Sequence, residues 1–399
     1  MANSSTSIKI ALQSLLFVIL ANLIFTSYSP MEPIFKARYG LTSTELGIIT
    51  SFIFLGSMTM ALLTGFFVDR IGRKNSIKIS FLILSTGSII ISIFHSYYFI
   101  IIGYYILGFG YGIITPATNS LIMKAYYPEH SRFMGIKQSG VPVGAAFSAI
   151  ILPVIAIEFS IEILYFAIFI LGIIIFILIN PDKFISQRKT REPYIKQLWS
   201  MKKNKLLIYV SLSSISLSLG QQTLLTYFVV FAKYKGFSLI SGEILLACVF
   251  IGAVIGRIMW LRLNEKLFNK NRAVMLSFIM FLSAMSFLFL IFFIKILYLM
   301  VILSIFSGAC AIGWNGMYVT LISEMSSEGN VGLFSGFSMM IMTFGPIFGV
   351  PLLGILLDYT NYFYLWLSMS LIMLIAAIFI FLIRHSFDNS RLSIYKNRT

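Results

Sequence analysis

Apolar and polar positions divide this chain into twelve long hydrophobic runs with short polar breaks between them. The runs cover residues 8–29, 43–68, 76–94, 97–123, 132–157, 161–180, 205–230, 240–262, 272–293, 295–321, 330–354 and 361–384. About 20 apolar residues, rising about 1.5 Å each as a helix, cross a hydrocarbon core of about 30 Å. Barrel strands would instead alternate in polarity over segments of about 10 residues. The pattern therefore predicts an all-α integral membrane protein of twelve transmembrane helices. The one long break, 181–204, is dense in Lys and Arg and divides the chain into near-equal parts. It predicts two six-helix bundles, residues 1–180 and 205–384, joined by a cytoplasmic linker (181–204) and followed by a cytoplasmic tail, 385–399. In the linker Pro193, Ile195, Leu198, Trp199 and Lys202 recur at helical spacing beside basic residues, as in a helix lying on the membrane surface.

Composition agrees: 58% of the residues are hydrophobic and 11% charged, too few charges to cover a water-facing surface of this size. The first run lacks a small-residue cleavage site and contains Asn22, so it reads as a retained span. The net charge of +16 raises the question of nucleic acid. Of the 30 basic residues, however, Lys137 and Arg257 fall inside spans, and only Lys36, Arg38, Lys233, Lys235 and Lys295 fall in one set of alternate loops. All the others lie in the opposite set or at the ends of the runs that border it. This positive-inside asymmetry predicts both termini in the cytoplasm and assigns the basic excess to topology and anionic lipid, not to nucleic acid. Cys248 and Cys310 lie in spans, as small buried hydrophobes do, and His95, His130 and His385 are scattered; neither set predicts a metal site or a cofactor.

Between the second and third runs lies Gly65-Phe66-Phe67-Val68-Asp69-Arg70-Ile71-Gly72-Arg73-Lys74. A weaker copy, Leu261-Arg262-Leu263-Asn264-Glu265-Lys266, follows 196 residues later, with Glu265 over Asp69 and Lys266 over Arg70. The same offset sets Asn22 over Ser218, Thr26 over Gln222, Asn119 over Asn315 and Gly112 over Gly308. In the fifth and eleventh spans an offset of 201 pairs Gly135 with Gly336 and Gly144 with Gly345. The first of these loops, Gly65-x-x-x-Asp69-Arg70-x-Gly72-Arg73-Lys74, resembles the signature of the major facilitator superfamily (MFS). The resemblance implies a monomeric secondary transporter of the cell (plasma) membrane, not an enzyme, with two pseudo-symmetric bundles rocking around a central site. Its partners would be a small-molecule substrate, the lipid bilayer and a possible coupling ion, proton or sodium. Gly65, Asp69, Arg70, Gly72, Arg73, Glu265, Lys266 and Arg257 become gating candidates. Asp69 is expected near the start of the eleventh span, and Glu265 near Arg132, when the cytoplasmic side is closed.

Polar residues at helical spacing inside a span choose protein or water over lipid. Ser211, Ser214, Ser218, Gln222 and Thr226, with Gln221 beside them, stripe the seventh span. For the Ser and Gly positions of such stripes, helix-to-helix contact is the favoured reading. For Asn22, Thr26, Asn119, Gln221, Gln222, Trp314 and Asn315, on spans one, four, seven and ten, the cavity is favoured; these spans line it in the resembled family. In the fifth span Lys137 shares a face with Gly140 and Gly144, and so points into protein, cavity or, by snorkelling, the cytoplasmic interface. All fourteen acids, Glu32, Glu45 and Glu243 among them, fall in loops or near span ends, so no span offers Lys137 a deep carboxylate. A bound anion is then a candidate partner, and proton coupling through a mid-membrane acid is not expected.

Gln138-x-Gly140-x-x-x-Gly144 and Gln221-Gln222 also resemble sugar-porter patterns, although the sugar-porter signatures that end each half are missing. A drug exporter's fourth-span arginine is absent, with Tyr104 standing four residues before Gly108, and Gly345-Pro346-Ile347-Phe348-Gly349 in the eleventh span reads as a bend. Arg257, about five residues from the predicted end of its span, is expected to be structural or to form a basic mouth with Lys137. The expectation is a transporter of a small polar metabolite, an organic anion first, with a neutral sugar-like solute, a drug or a transport-dead sensor as alternatives. Lys137 and Gln138 lead its substrate-binding residues.

Overall fold

The structure, a computed structural model, describes residues 4–126, 130–181, 201–268, 271–292, 296–325 and 331–384. The expected surface helix lies outside the described residues apart from its end, where Met201–Lys203 form a 3-10 turn. The tail at 385–399 and the side chains of Asp69, Arg70 and Arg132 lie outside the described residues. Twelve helical segments are long and apolar enough to span a membrane. The chain divides by its internal contacts into two compact units, Met1–Arg191 and Glu192–Thr399.

The first unit holds α1 (Ser4–Phe25), α2 (Tyr28–Tyr39), α3 (Ser43–Ile71), α4 (Arg73–Ile93), α5 (Tyr97–Tyr126), α6 (His130–Glu158) and α7 (Ile161–Leu178). The second holds α8 (Lys205–Tyr234), α9 (Leu239–Leu267), α10 (Arg272–Ile291), α11 (Leu297–Ala311), α12 (Asn315–Glu324), α13 (Val331–Met342), a π-helical turn (Gly345–Gly349), α14 (Val350–Tyr359) and α15 (Tyr362–Leu382). Side chains close the helix starts. The Thr42 hydroxyl accepts from the Glu45 N–H while the Glu45 carboxylate accepts from the Thr42 N–H, a capping box. Ser238, 196 positions later, accepts from the Ser241 N–H at the start of α9. Ser160 and Asn361, 201 apart, cap α7 and α15 in the same way.

Close helix crossings repeat as well. A Cβ on Gly144 would clash with the Ile19 carbonyl, and one on Gly345 with the Ile215 carbonyl, so Gly144 and Gly345 are equivalent at an offset of 201. Gly108 lies against the Ile53 carbonyl and Gly308 against that of Val249. Spans two and eight therefore keep the offset of 196, whereas spans four and ten are offset by 200. This corrects two expected pairings: Gly112 is not the partner of Gly308, nor Asn119 of Asn315. Asn315 corresponds to Thr115, and Asn119 to Val319.

Four spans differ from the hydropathy reading, the first, second, eighth and tenth. Helices outrun their apolar cores, because a helix satisfies its own backbone and continues into water until something stops it. α3 reaches Ile71, where Gly72 adopts a φ of 89° that an L side chain rarely takes. α9 reaches Leu267, so Leu261–Lys266 is its last helical turns and not a loop, and Arg257 lies ten residues, about 15 Å, from the helix end instead of about five. The first span breaks at Thr26-Ser27 and resumes as α2 through Tyr39.

The tenth span is two helices parted at residues 312–314, and side chains take up the carbonyls at the break. Trp260 Nε1 donates to Ala309 O (2.7 Å), Trp314 Nε1 to Ala311 O (2.9 Å) and Asn315 Nδ2 to Ile312 O (3.1 Å). In the eleventh span the expected bend is the π turn holding Pro346, which has no N–H to give to the preceding turn.

Candidate substrate-binding site

α6 lies along α1 because Gly140 and Gly144 let the Leu15, Ile19 and Asn22 positions approach closely. That face carries Lys137 inward. The side chain has no exposed surface, and its Nζ donates to Asn119 Oδ1 (2.5 Å) and Thr118 Oγ1 (3.4 Å) on α5. A snorkelling lysine would keep its head in water, so burial excludes that alternative. The hydrogen-bonding oxygens are neutral: among the described residues, an amide and a hydroxyl accept from the ammonium.

Asn22 is buried one level away, its Nδ2 donating to Tyr111 Oη (2.9 Å) and Val18 O (3.2 Å). Tyr111 stacks on Phe25 with ring centroids 3.9 Å apart. The Thr26 hydroxyl closes α1 on the Asn22 carbonyl (2.6 Å). Gln138 is half-buried beside Lys137. The structure thus joins Lys137 to Asn119 and places Asn22 with Tyr111.

In the second unit Asn315 Nδ2 donates to Gln221 Oε1 (3.1 Å), tying the break in the tenth span to α8. Trp314 is buried there edge-on to Tyr318, while Gln222 is half-buried on α8. In the serine stripe on α8, Ser214 donates to the Ser211 carbonyl and Ser211 to Ser338 Oγ (3.0 Å), contacts made within the protein. Ser338 also bonds the Tyr318 hydroxyl. With offsets of 201 and 200, Ser338 and Tyr318 occupy the positions of Lys137 and Thr118. One contact therefore occurs in both units, as a neutral hydroxyl pair in the second and as a lysine with a threonine in the first.

Among the gating candidates, Arg73 donates from Nε to Ser120 Oγ (2.6 Å), next to the residue that holds Lys137. Gly72 joins α3 to α4, and Gly65 lies within α3. Glu265 and Lys266 are exposed on the last turn of α9, and Arg257 is half-buried two turns earlier. Sequence reasoning missed Arg272. Like Arg73 it is the first residue of its helix, and it donates to Asn264 Oδ1 (2.6 Å) and Glu324 Oε1 (3.2 Å). Its place directly after a helix break was the available signal.

Two acids placed near span ends are buried. Glu32 on α2 and Glu243 on α9 are 0% and 4% exposed. Hydropathy locates a residue along a helix axis but not on the face turned toward protein, so their position near span ends did not reveal this burial.

A family model described as Major Facilitator Superfamily matches residues 14–320. The chain belongs to the major facilitator superfamily. A hexuronate transporter of Bacillus subtilis is 23% identical over 390 residues, 89% of this chain and 90% of that protein. A facilitated glucose transporter, member 10 of solute carrier family 2 from Xenopus laevis, is 28% identical over 114 residues, covering 28% of this chain and 21% of its own. The crystal structure of a bacterial homolog of the human lysosomal transporter Spinster, inward-facing and unoccupied, superposes with a TM-score of 0.78 at 15% identity, covering 98% of this chain and 99% of that one. This superfamily member is accordingly a transporter of some small molecule across a bilayer, and not an enzyme.

Proposed function

We propose that this transporter carries a small organic anion with several hydroxyl groups, and that Lys137 receives its carboxylate. The observation that carries the reading is the exchange of a neutral Ser338–Tyr318 contact for Lys137–Thr118 at the equivalent place. Packing does not require a cation there, since the second unit holds the position with hydroxyls. A buried ammonium among neutral groups is costly, and a ligand carboxylate offsets that cost. Asn22, Thr26, Asn119, Gln138, Gln221, Gln222, Trp314 and Asn315 orient the polar remainder. The hexuronate transporter aligned along most of both chains supports a hydroxylated carboxylate. Both termini are cytoplasmic in this reading, 181–204 links the two bundles, and the signature-loop residues with Glu265, Lys266 and Arg257 act in closing the cytoplasmic side. The protein works as a monomer.

The amide pair Gln221–Asn315 supports a second reading, a neutral sugar-like solute held by amide and hydroxyl groups alone. Uptake into protein-loaded vesicles of labelled glucuronate, glucose, an amino acid and a cationic dye separates the classes. Glucuronate uptake above empty vesicles is expected. Uptake of glucose alone moves the second reading ahead, dye transport alone supports a drug exporter, and binding without any uptake supports a sensor.

A further inference from the structure

We infer that a groove between α8 and α15 binds one anionic phospholipid, with an acyl chain in the groove and the phosphate at Lys205 and Arg384. The groove, of about 310 Å³, is lined by Leu212, Ser213 and Ser216 on α8 and by Ile375, Ala376 and Phe379 on α15. That volume falls within the range of small-molecule sites, about 300–1,000 Å³. Small side chains make its floor: Ser213, Ser216 and Ala376 are each less than a tenth exposed. The two hydroxyls turn back onto their own helix, donating to Val210 O and Ser213 O (both 2.7 Å), so their donors are spent and the floor is apolar in character. Leu212, Ile375 and Phe379 form the rim and are 49%, 67% and 37% exposed. Both helices are spans, so the medium at this rim is hydrocarbon, and an acyl chain is its matching occupant.

An apolar groove alone would take any lipid, and the charge at its mouth selects one with a negative head. Six spans, α8 through α15, return the chain to the side from which it started, so the start of α8 and the end of α15 share one headgroup layer. Lys202 and Lys205 are exposed at the first of these ends. At the second, the Arg384 guanidinium lies over the Phe381 ring, 3.9 Å from its centroid, and gives Nη1 to Phe381 O (2.9 Å), which leaves other N–H groups for a phosphate. Neither helix carries an acid. Along α8, Leu212 and Ser216 lie about 10 and 17 Å from Lys205; along α15, Phe379 and Ile375 lie about 8 and 14 Å from Arg384. One leaflet supplies about 15 Å of hydrocarbon, so cations at the headgroup and a groove among the chains match a single lipid molecule. Between them the exposed Tyr209 packs edge-on against Phe379, ring centroids 6.0 Å apart, at the level where tyrosines border headgroups and chains. The inference draws nothing from the substrate reading.

Native mass spectrometry of the full chain in detergent, titrated with dioleoyl phosphatidylglycerol or dioleoyl phosphatidylcholine, tests it. The first phosphatidylglycerol should bind at least about fivefold tighter than the first phosphatidylcholine, the effect of one cation at an anionic surface. Lys205→Gln and Arg384→Gln should each weaken phosphatidylglycerol about fivefold and leave phosphatidylcholine unchanged. Lys124→Gln, which removes an exposed cation from the last turn of α5 in the first unit, should change neither. Ser213→Leu fills the floor and should weaken both lipids. Equal affinity of the parent for the two lipids, or equal loss from Arg384→Gln and Lys124→Gln, overturns the charged mouth. Binding that Ser213→Leu leaves unchanged overturns the groove, and displacement of the lipid by glycerol phosphate shows a site for free anions and overturns the docking of a lipid. Should Ser213→Leu fail to fold, Leu212→Gln on the exposed rim must weaken both lipids instead, and unchanged binding by that variant overturns the groove.

Discussion

Lys137→Met removes a cation that the structure buries completely and, among the described residues, bonds to neutral oxygens. Hydrogen bonds to charged groups contribute about 1.5–3 kcal/mol. At about 1.4 kcal/mol per decade of affinity, losing the bond to a ligand carboxylate weakens anion binding by roughly tenfold to a hundredfold. The same change withdraws a donor from Asn119 Oδ1 and Thr118 Oγ1, and a buried group left unsatisfied costs about 1–3 kcal/mol, so the variant should also melt earlier. Lys137→Ser combined with Thr118→Tyr separates the two effects, because it copies the Ser338–Tyr318 pair of the second unit. The double variant should recover most of the melting temperature and none of the anion affinity. Equilibrium binding of labelled glucuronate to purified protein, with fluorescence melting alongside, gives both quantities. If Lys137→Met folds and binds glucuronate within about twofold of the parent, an effect far below one decade, the charge contact is refuted.

The glycine crossings predict opposite outcomes for one chemical change. Gly252→Ala puts a methyl group into the Ile305 carbonyl and should destabilise by about 1–3 kcal/mol, while Gly135→Ala, with open space around its Cβ, should gain up to about 1 kcal/mol from helix propensity; thermal melts compare them. Asp69→Asn should slow turnover by roughly two- to fivefold, the about 0.3–1 kcal/mol of a charge at a helix end, with little change in affinity, and unchanged turnover refutes the role proposed for Asp69 in closing the cytoplasmic side.

Much of the fold was legible because hydrocarbon admits few backbones: twelve apolar runs became twelve spans. The repeat was legible in spans one and seven, and in five and eleven, where Gly144 and Gly345 mark the same crossing. It misled in spans four and ten, since four residues gained between spans two and four shift the register by a full helical turn and leave a plausible but false match of Asn119 with Asn315. The break at 312–314 was not legible, because what satisfies its carbonyls comes from Trp260 on another helix as well as from Trp314 and Asn315. The inward face of Lys137 followed from Gly140 and Gly144, but its partners on α5 are tertiary. The burial of Glu243 was missed for the same reason: which face of α9 meets its neighbours is decided by packing around Gly252 and Gly256, not by local hydropathy.

The central claim, that the transported molecule is recognised by its negative charge at Lys137, is tested most directly by the affinity of the parent for glucuronate against glucose, which share a ring and differ at the carboxylate. Isothermal titration of the purified protein should find glucuronate at least about tenfold tighter, the low end of what a charge-assisted contact contributes. Equal affinities, or tighter binding of glucose, would contradict it.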